Sequence, residues 1–503
     1  MTIHRRQFLK ATIGLSTIAL LKPELIFAGE KPLHQRLGKG DINTSLEILN
    51  MWGTQPQEIQ DWYKVSHKFL ATDLQSSYAE LAKTETFIDL AKKLKLTHIG
   101  GPILGDITTN SVKIWVRTLK PAKVMAKLTI DNKTITEAFS QTTTESDLAC
   151  VIQVKNLKPY TCYHYQIFID DKPANIPIDA VITTAPDQNA SDKTRIAFGT
   201  CYHRWGIGNS KQAELIASRK PHALLLGGDV AVQDRRNHIG LHRADFLLRD
   251  LAPAWQKLVA SVPVYTTWDD HDYFDNDLAG IPKGYKLKDK QNVWKAFTQA
   301  WPNPAFGFGQ GKQGVHFRSR IGCCDVIMLD TRYFRENKAG SFLGDEQMAW
   351  LKTQLLDCTG PFIILSSGTM FSDYVSKGKD SWGKWDPAGR ETIFKFIEDN
   401  QIPGVLLTSG DRHGARGFAI PRPSGYNFYE FEVAALGGRS GPPATDPSWK
   451  TQFYSLSGEF AFGEFTFDTT KADPTVTFNL IHEDGKILHT KTLTKKMLTP
   501  SKK

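Results

Sequence analysis

Thr266-Thr-Trp-Asp-Asp-His-Asp-Tyr-Phe-Asp-Asn-Asp277 sets five carboxylates, one imidazole and one carboxamide within twelve residues. The preceding Val262-Pro-Val-Tyr265 reads as a short buried strand, so the polar cluster falls where a strand ends. In open α/β sheets, ligand and catalytic sites form at that place. Like charges in one loop repel, and a bound cation is the most direct way to hold them together. A solvated acidic loop is the plain alternative, since Asp and Asn are ordinary loop residues. The rest of the chain separates the two.

One arrangement recurs from residue 194 onward: a short apolar run ends in a residue able to bind metal or phosphate. Arg195-Ile-Ala-Phe198 leads to Gly199-Thr-Cys201, and His222-Ala-Leu-Leu-Leu226 leads to Gly227-Gly-Asp229. Val262–Tyr265 leads to Asp270-His271, and Val326-Ile-Met-Leu329 leads to Asp330-Thr-Arg332. Phe362-Ile-Ile-Leu365 leads to Ser366-Ser-Gly-Thr369, and Gly404-Val-Leu-Leu-Thr408 leads to Ser409-Gly-Asp-Arg-His413. Helical patterns lie between them at Ser210–Arg219, Glu346–Leu356 and Arg390–Asn400. Six such ends in order predict strands converging on one site of an α/β fold.

From about Gly100 to about residue 490, the chain resembles the PhoD-type alkaline phosphatases. These belong to the calcineurin-like metallophosphoesterase superfamily and are related to the purple acid phosphatases. The resemblance is carried by Gly101-Pro-Ile-Leu-Gly105, Gly199-Thr-Cys201, Trp268-Asp-Asp-His-Asp272 with Asn276, Asp330-Thr-Arg-Tyr333 and Ser409-Gly-Asp-Arg-His413. None is specific alone; in combination and order they are. The resemblance implies an α/β metallophosphoesterase sandwich, two mixed sheets flanked by helices, and a metal-dependent hydrolase acting on phosphoric esters. It implies Cys201, Asp229, Asp270, Asn276, Asp411 and His413 as metal ligands, with Asp229 bridging two ions. It implies His271 as the residue that contacts phosphate and helps protonate the leaving oxygen. The hydroxide that attacks phosphorus would come from the metals, with no covalent Ser or Thr nucleophile. Arg332 is a candidate phosphate clamp, because its planar fork matches phosphoryl oxygens; a structural ion pair is the other reading. For Cys201 and His413 taken singly, a buried thiol and a satisfied core histidine are the ordinary fates. Their places at matching strand ends favour ligation.

The chain departs from the family in two places. Relatives carry Asp-x-x-Tyr after the second strand, with that tyrosine on iron; here Asp229-Val-Ala-Val232 stands. Thr369-Met370 stands where relatives often carry Gln. The family implies Ca²⁺ and Fe³⁺, two or more ions in all. Val232 puts the iron in question, leaves Mn²⁺ or Zn²⁺ open, and makes Tyr202 and Tyr273 candidate substitutes. Two rivals to a monoesterase remain. One is a phosphodiesterase acting on phospholipid, teichoic-type or nucleotide diesters; the other is a phosphate-binding protein that has lost turnover.

The chain of 503 residues divides further. His4-Arg-Arg-Gln-Phe-Leu-Lys10, then the apolar Ala11–Leu21 and Ile26-Phe-Ala28, read as a twin-arginine signal over 1–28. This predicts export to the periplasm or medium by the twin-arginine machinery, with no stable transmembrane span, since the apolar run is too short. Residues 29–99 carry a helical stripe of Trp62, Leu70, Leu74, Leu81, Phe87, Leu90 and Leu94. Residues 100–186 alternate as strands at Val112–Arg117, Val124–Ile130 and Cys150–Val154. There Leu157–Tyr165 resembles a tyrosine corner, which predicts a fibronectin-III-like β-sandwich acting as a wall or lid. Cys150 and Cys162 are expected as buried free thiols. A linker over 187–193 precedes the catalytic domain, 194–440, whose sheets are completed by strands in 441–503 before a basic tail. At 41% hydrophobic and 23% charged, the chain is globular and not disordered. The formal charge of +9 favours anionic partners such as a phosphoester, but no signature of sequence-specific nucleic-acid binding is present. Six cysteines are too few for a disulfide scaffold. Replacing both Arg5 and Arg6 by Lys should leave the protein in the cytoplasm with its signal uncleaved. Fractionation and an immunoblot check this, and a cleaved exported variant would remove the twin-arginine assignment.

Overall fold

The computed structural model describes residues 40–187, 190, 193–336, 340–373, 380–438, 441 and 450–501. The stretch 1–28, expected to be an export signal, lies outside the described residues, as do parts of the expected linker and the last two residues of the basic tail.

Two sheets pack face to face. The first has the order Val264–Thr266, Ala223–Leu226, Thr194–Gly199, Ala461–Asp468, Thr475–His482, Ile487–Thr494. Its first three strands are parallel and the rest antiparallel. The second sheet runs Phe317–Ile321, Cys324–Met328, Phe362–Ser366, Val405–Ser409, Asn427–Glu432, Ala415–Pro421, Gln452–Leu456. Its four consecutive strands from Cys324–Met328 to Asn427–Glu432 are parallel. Parallel strands covered on both faces should read as continuous apolar runs. Ala223-Leu-Leu-Leu226 and Phe362-Ile-Ile-Leu-Ser366 do, and every residue of both is buried. Between the sheets lies an aromatic layer, with Phe198 stacked 4.9 Å from Phe465 and Phe431 4.5 Å from Phe478. Truncating one such ring to Ala costs about 3–5 kcal/mol. Ile216, Trp255 and Leu258 cover the outer face of the first sheet, and Leu351, Ile393 and Phe394 that of the second. The layers are therefore helix, sheet, sheet, helix. Leu436 N–H donates to Thr200 O at 3.0 Å, so the two sheets are tied together beyond their strand ends.

Residues 98–183 form a separate pair of sheets. One joins His98–Gly105, Val112–Thr118 and Ala149–Val154; the other joins Lys133–Thr142, Ala122–Ile130, Cys162–Ile169 and Lys172–Pro173, with Val181–Thr183 also on Cys162–Ile169. The Tyr163 hydroxyl accepts the Lys158 N–H at 2.7 Å, which is the bond that defines a tyrosine corner. Cys150 is a buried free thiol as expected, but Cys162 is exposed: it begins its strand on the outward face. The strand Lys133–Thr142 escapes a reading by alternation because it is an edge strand with few buried side chains. Tyr165 and Tyr265 tie this unit to the larger one, donating to Ala260 O at 2.8 Å and to Ile107 O at 3.1 Å.

Helices at Ile42–Asn50, Gln57–Leu70, Tyr78–Leu81 and Glu85–Lys93 precede it. Asp41 caps the first by accepting the Thr44 N–H at 2.9 Å. Trp62, Leu70, Leu81 and Phe87 are buried, whereas Leu74 falls in the turn after the second helix and is 46% exposed. This group packs on Ile239–Leu251, a helix that periodicity did not reveal because it is buried nearly all round. Arg243, Asp245, Arg249 and Asp250 lie inside it. Asp245 accepts from Arg204 Nη1 at 2.5 Å, Arg235 Nε at 2.6 Å and the Gln233 N–H at 3.2 Å. Arg204 also donates to Ser45 Oγ at 3.2 Å, and Trp52 Nε1 to Trp205 O at 2.6 Å. The N-terminal helices thus brace the loop that follows the strand Thr194–Gly199. Asp245→Ala strands two buried guanidinium groups and should cost about 3–5 kcal/mol of stability. Urea unfolding checks it; a midpoint equal to wild type would show that the pairs contribute nothing.

Candidate metal centre

Four parallel strands deliver the polar residues. Cys201 and His203 follow Thr194–Gly199, Asp229 follows Ala223–Leu226, Asp269 to His271 follow Val264–Thr266, and Asp411 and His413 follow Val405–Ser409. Cys201, His203, Asp229, Asp411 and His413 have left-handed φ values of 53°, 50°, 54°, 76° and 60°. Such backbone costs about 1–3 kcal/mol per residue and gathers at functional sites. Hydrogen bonds hold these turns in place. Cys201 N–H donates to Gly228 O at 3.1 Å and His203 N–H to Asp229 O at 2.8 Å. Asp272 accepts the N–H groups of Val230 and Ala231 at 3.1 and 3.4 Å. Gly228, at φ 108°, lies so close to Asp269 that a side chain there would collide with it.

Three groups of donors form a continuous chain: Cys201, His203, Asp229 and His413; then Asp229, Asp270 and His271; then Asp269, Asp270 and Asp411. Within each group the donor atoms lie within 4.8 Å of one another. Asp229 belongs to two groups, as does Asp270. The structure therefore brings together five of the six residues expected as ligands. Asn276 stands apart: it is exposed. The loop after Asp270 turns its backbone inward instead, and Asp277 N–H donates to Asp270 Oδ2 at 2.6 Å.

Charge at this site is poorly compensated by protein alone. Burial, reinforced by Asp270, Asp269 and Asp272 against the pull of His271, pushes the Asp229 carboxyl well above the usual range. Burial and then Asp229 raise the Cys201 thiol in the same way. Burial lifts Asp411 to about 6 despite Arg412. Burial would raise Asp270 too, but Arg332 and His271 hold it well below. Asp229 Oδ1, Asp269 Oδ2 and His203 Nε2 are buried without a hydrogen-bond partner among the described residues. Orphaned lone pairs beside a thiol and crowded carboxylates fit bound cations.

His271 sits at the edge of this chain. Its Nδ1 lies 2.5 Å from Asp234 Oδ1 and 2.9 Å from Gln233 Nε2. Burial would depress the imidazole, but Asp270, Asp229 and Asp234 raise it well above its ordinary value. Neither Gln233 nor Asp234 was anticipated, since nothing in an Asp-x-x-Val-Gln-Asp run marks them. His203 was missed as well, though the Cys201-x-His203 spacing was available to find it.

Arg332 follows the ion-pair reading. It is 0% exposed, donates from Nε to Asp269 Oδ1 at 2.5 Å, and sets Nη1 2.9 Å from Asp380 Oδ2. With Nη2 3.9 Å from Asp270, it lies behind two carboxylates of the donor chain and restrains them. Asp330, read as a strand-end donor, accepts instead from Trp268 Nε1 and the N–H groups of Val315, Arg332 and Tyr333. Its work is to shape the loop.

The comparisons with known proteins agree with this geometry. Residues 231–478 match the model of the PhoD-like phosphatases. This segment belongs to the PhoD-like phosphatase family. Residues 95–186 match a second model, described as a domain of unknown function. Alkaline phosphatase D of Bacillus subtilis (strain 168) is 24% identical over 216 residues, 37% of this chain and 36% of that protein. The match thus spans about a third of that relative's length. A solved structure of PhoD superposes with TM-score 0.67 at 16% identity, covering 80% of this chain and 92% of that one. A purple acid phosphatase from yellow lupin (Lupinus luteus) seeds gives 0.58 at 12% identity, covering 78% and 74%. These likenesses show the shared α/β fold of mixed sheets flanked by helices.

Against the PhoD-like pattern, the place of the expected tyrosine is apolar: Val232 is buried in the hydrophobic cluster of the first sheet. The two candidate substitutes differ. Tyr202 packs in that same cluster, its ring 6.4 Å from that of Trp255 and its hydroxyl buried without a partner among the described residues. The Tyr273 hydroxyl donates to Gly280 O at 2.5 Å, and its ring packs on Trp268 and Phe274. Iron-loaded protein should therefore show no tyrosinate-to-iron absorption, and elemental analysis should give at least two ions per chain. A visible spectrum with that band would mean that a tyrosine has entered the site.

Proposed function

We propose that this chain is an exported, metal-dependent phosphoesterase of the alkaline phosphatase D kind, acting on phosphate esters. The observation that carries this reading is the donor chain running from Cys201 to Asp411 with the Asp234–His271 pair set on it. Ions bound there would supply a hydroxide near neutral pH and neutralise phosphoryl oxygens. Asp229, shared between two donor groups, would serve two ions, with Cys201, Asp270, Asp411 and His413 completing the set. His271, oriented by Asp234, donates a proton to the departing oxygen. Arg332 fixes Asp269 and Asp270 from behind, as a positioning residue.

We also propose the division of the chain that accompanies this activity. A signal occupies 1–28, a helical brace 29–99 and a fibronectin-III-like sandwich 100–186. A linker follows over 187–193, then the catalytic unit 194–440 and its closing strands 441–503. The tyrosine corner and the separate pair of sheets support the sandwich. No helix among the described residues is long and apolar enough to cross a membrane.

Turnover of p-nitrophenyl phosphate and bis-p-nitrophenyl phosphate, before and after chelation, tests the reading. His271→Ala should lower kcat by about 10²–10⁴-fold, the usual weight of general acid–base catalysis, with metal content unchanged. Loss of metal together with activity would make His271 a ligand instead. Metal-loaded protein inactive on both esters would favour a phosphate-binding protein, and strong preference for the bis ester would make it a diesterase.

A further inference from the structure

Helix Leu287–Thr298 is joined to strand Phe317–Ile321 by a loop, 299–316, that ends on His316. This histidine is 1% exposed, and neither Nδ1 nor Nε2 has a hydrogen-bond partner among the described residues. Aromatic rings surround it instead. Phe308 of the loop and Trp350 of helix Gly344–Asp357 stand edge to face with it at 4.6 and 4.5 Å, and Phe334 lies tilted at 5.6 Å. Gly314 leaves no room beside the ring: a Cβ there would lie 3.1 Å from Nδ1 and collide with Phe334. Buried polar side chains ordinarily keep at least one partner. Without any, a neutral imidazole serves as an aromatic filler, but an imidazolium has two N–H donors and a charge that nothing receives. Ring faces attract a cation, yet they recover only part of the hydration it loses.

No charged group compensates. Lys312, the one charged residue of the loop, is paired with Glu346 of helix Gly344–Asp357 at 2.5 Å. On that helix Lys352 lies over the Phe396 ring, and Asp345 and Asp357 are exposed. On the segment bearing Phe334, Asp330 accepts from Trp268 Nε1, Arg332 pairs with Asp269, Arg335 pairs with Asp380, and Glu336 is exposed. Lys290 faces the Tyr333 ring at 3.7 Å, and Arg318, on the strand that His316 precedes, donates to Gln354 O at 3.2 Å. None of these forms an ion pair with His316. Burial alone depresses its imidazole, to about 3.

The cage closes the end of the loop onto the turn that carries Arg332. Val315 N–H donates to Asp330 Oδ2 at 2.9 Å, and the Tyr333 hydroxyl donates to Gln313 Oε1. Trp294 Nε1 donates to Gly314 O at 2.7 Å. Asp330 Oδ1 in turn takes the N–H groups of Arg332 and Tyr333 at 3.0 and 2.8 Å. We infer that His316 is an acid-sensitive latch: neutral, it closes residues 306–316 onto the turn Asp330–Phe334; protonated, it leaves its cage, and the loop end and the turn open together. The direction follows from where the proton goes. In an open conformation the ring meets water and titrates near its ordinary value of about 6.5, whereas in the closed one it stays neutral down to about 3. Closure is therefore at full strength above about pH 6.5 and weakens below it, by up to about tenfold in the closed-to-open ratio per pH unit.

Hydrogen exchange of the intact, metal-loaded protein tests this, read by mass spectrometry and corrected for the pH dependence of intrinsic exchange. Peptides covering 306–316 and 330–334 should lose protection by about tenfold between about pH 6 and pH 5, while the central strand Phe362–Ser366 keeps its own. Unchanged protection of the two peptides would overturn the inference. His316→Leu and His316→Met keep an apolar filler without the proton site, and in either variant the acid-dependent loss should vanish. A loss equal to wild type would assign it to another group and refute the latch; the metal ligands, which also take up protons in acid, are the same in all three proteins. Exchange of the His316 ring C2–H in the unaltered protein needs no variant to fold, and it should report a neutral ring at about pH 5. A ring that protonates near its ordinary value of about 6.5 while the two peptides stay protected would also overturn the inference. The latch goes beyond the phosphoesterase reading and does not rest on it, since neither readout involves turnover.

Discussion

Asp229, Asp269 and Asp270 are each 1% exposed and crowd against one another beyond the ends of two parallel strands. Burying one carboxylate without a partner is costly, and burying three together is more so. The protein compensates two of them in part. Arg332 pairs with Asp269 and lies near Asp270, itself neutralised on the far side by Asp380. Asp229 and Asp269 each keep an oxygen with no partner among the described residues, and burial, reinforced by neighbouring carboxylates, raises the affinity of both for protons. A cation in place of those protons would stabilise the arrangement, and the rest of the fold reads as a device for holding the anions close.

That device extends well beyond the strand ends. The turns bearing Cys201, His203 and Asp229 are strained, and bonds between them hold the strain. Behind them, Gln233 links His203 and His271 through its side chain and reaches Asp245 through its backbone. Asp245 gathers Arg204 and Arg235, and Arg204 reaches Ser45 on the first helix. The N-terminal helices are therefore coupled to the donor chain by an unbroken run of hydrogen bonds. Metal affinity and the stability of that helical brace are expected to rise and fall together.

The departure at Val232 has a local consequence. Taking away a phenolate would leave a cation short of one donor unless another side chain supplied it. Of the nearby tyrosines, one donates to the Gly280 carbonyl, and the other packs in the core with its hydroxyl unpartnered among the described residues. His203 likewise keeps Nε2 buried without a partner among the described residues, its Nδ1 2.6 Å from Gln233 Oε1.

Short apolar runs closed by Gly, Asp or Cys are legible in sequence because a buried parallel strand needs continuous hydrophobicity and a turn must follow it. That local logic located the six parallel strands that point at the centre, and with them Cys201, Asp229, Asp270, Asp411 and His413. It could not place Ile239–Leu251, where charged residues face inward and erase the amphipathic pattern. Nor could it decide Arg332, whose partners Asp269 and Asp380 are 63 and 48 positions away. Asn276 had the right chemistry and spacing, but the backbone of Asp277 faces Asp270 in its stead. Sequence by itself determined which residue types stand at the strand ends. Only the tertiary structure decided which of them lose water, and what lies opposite when they do, because desolvation and pairing join residues far apart in the chain.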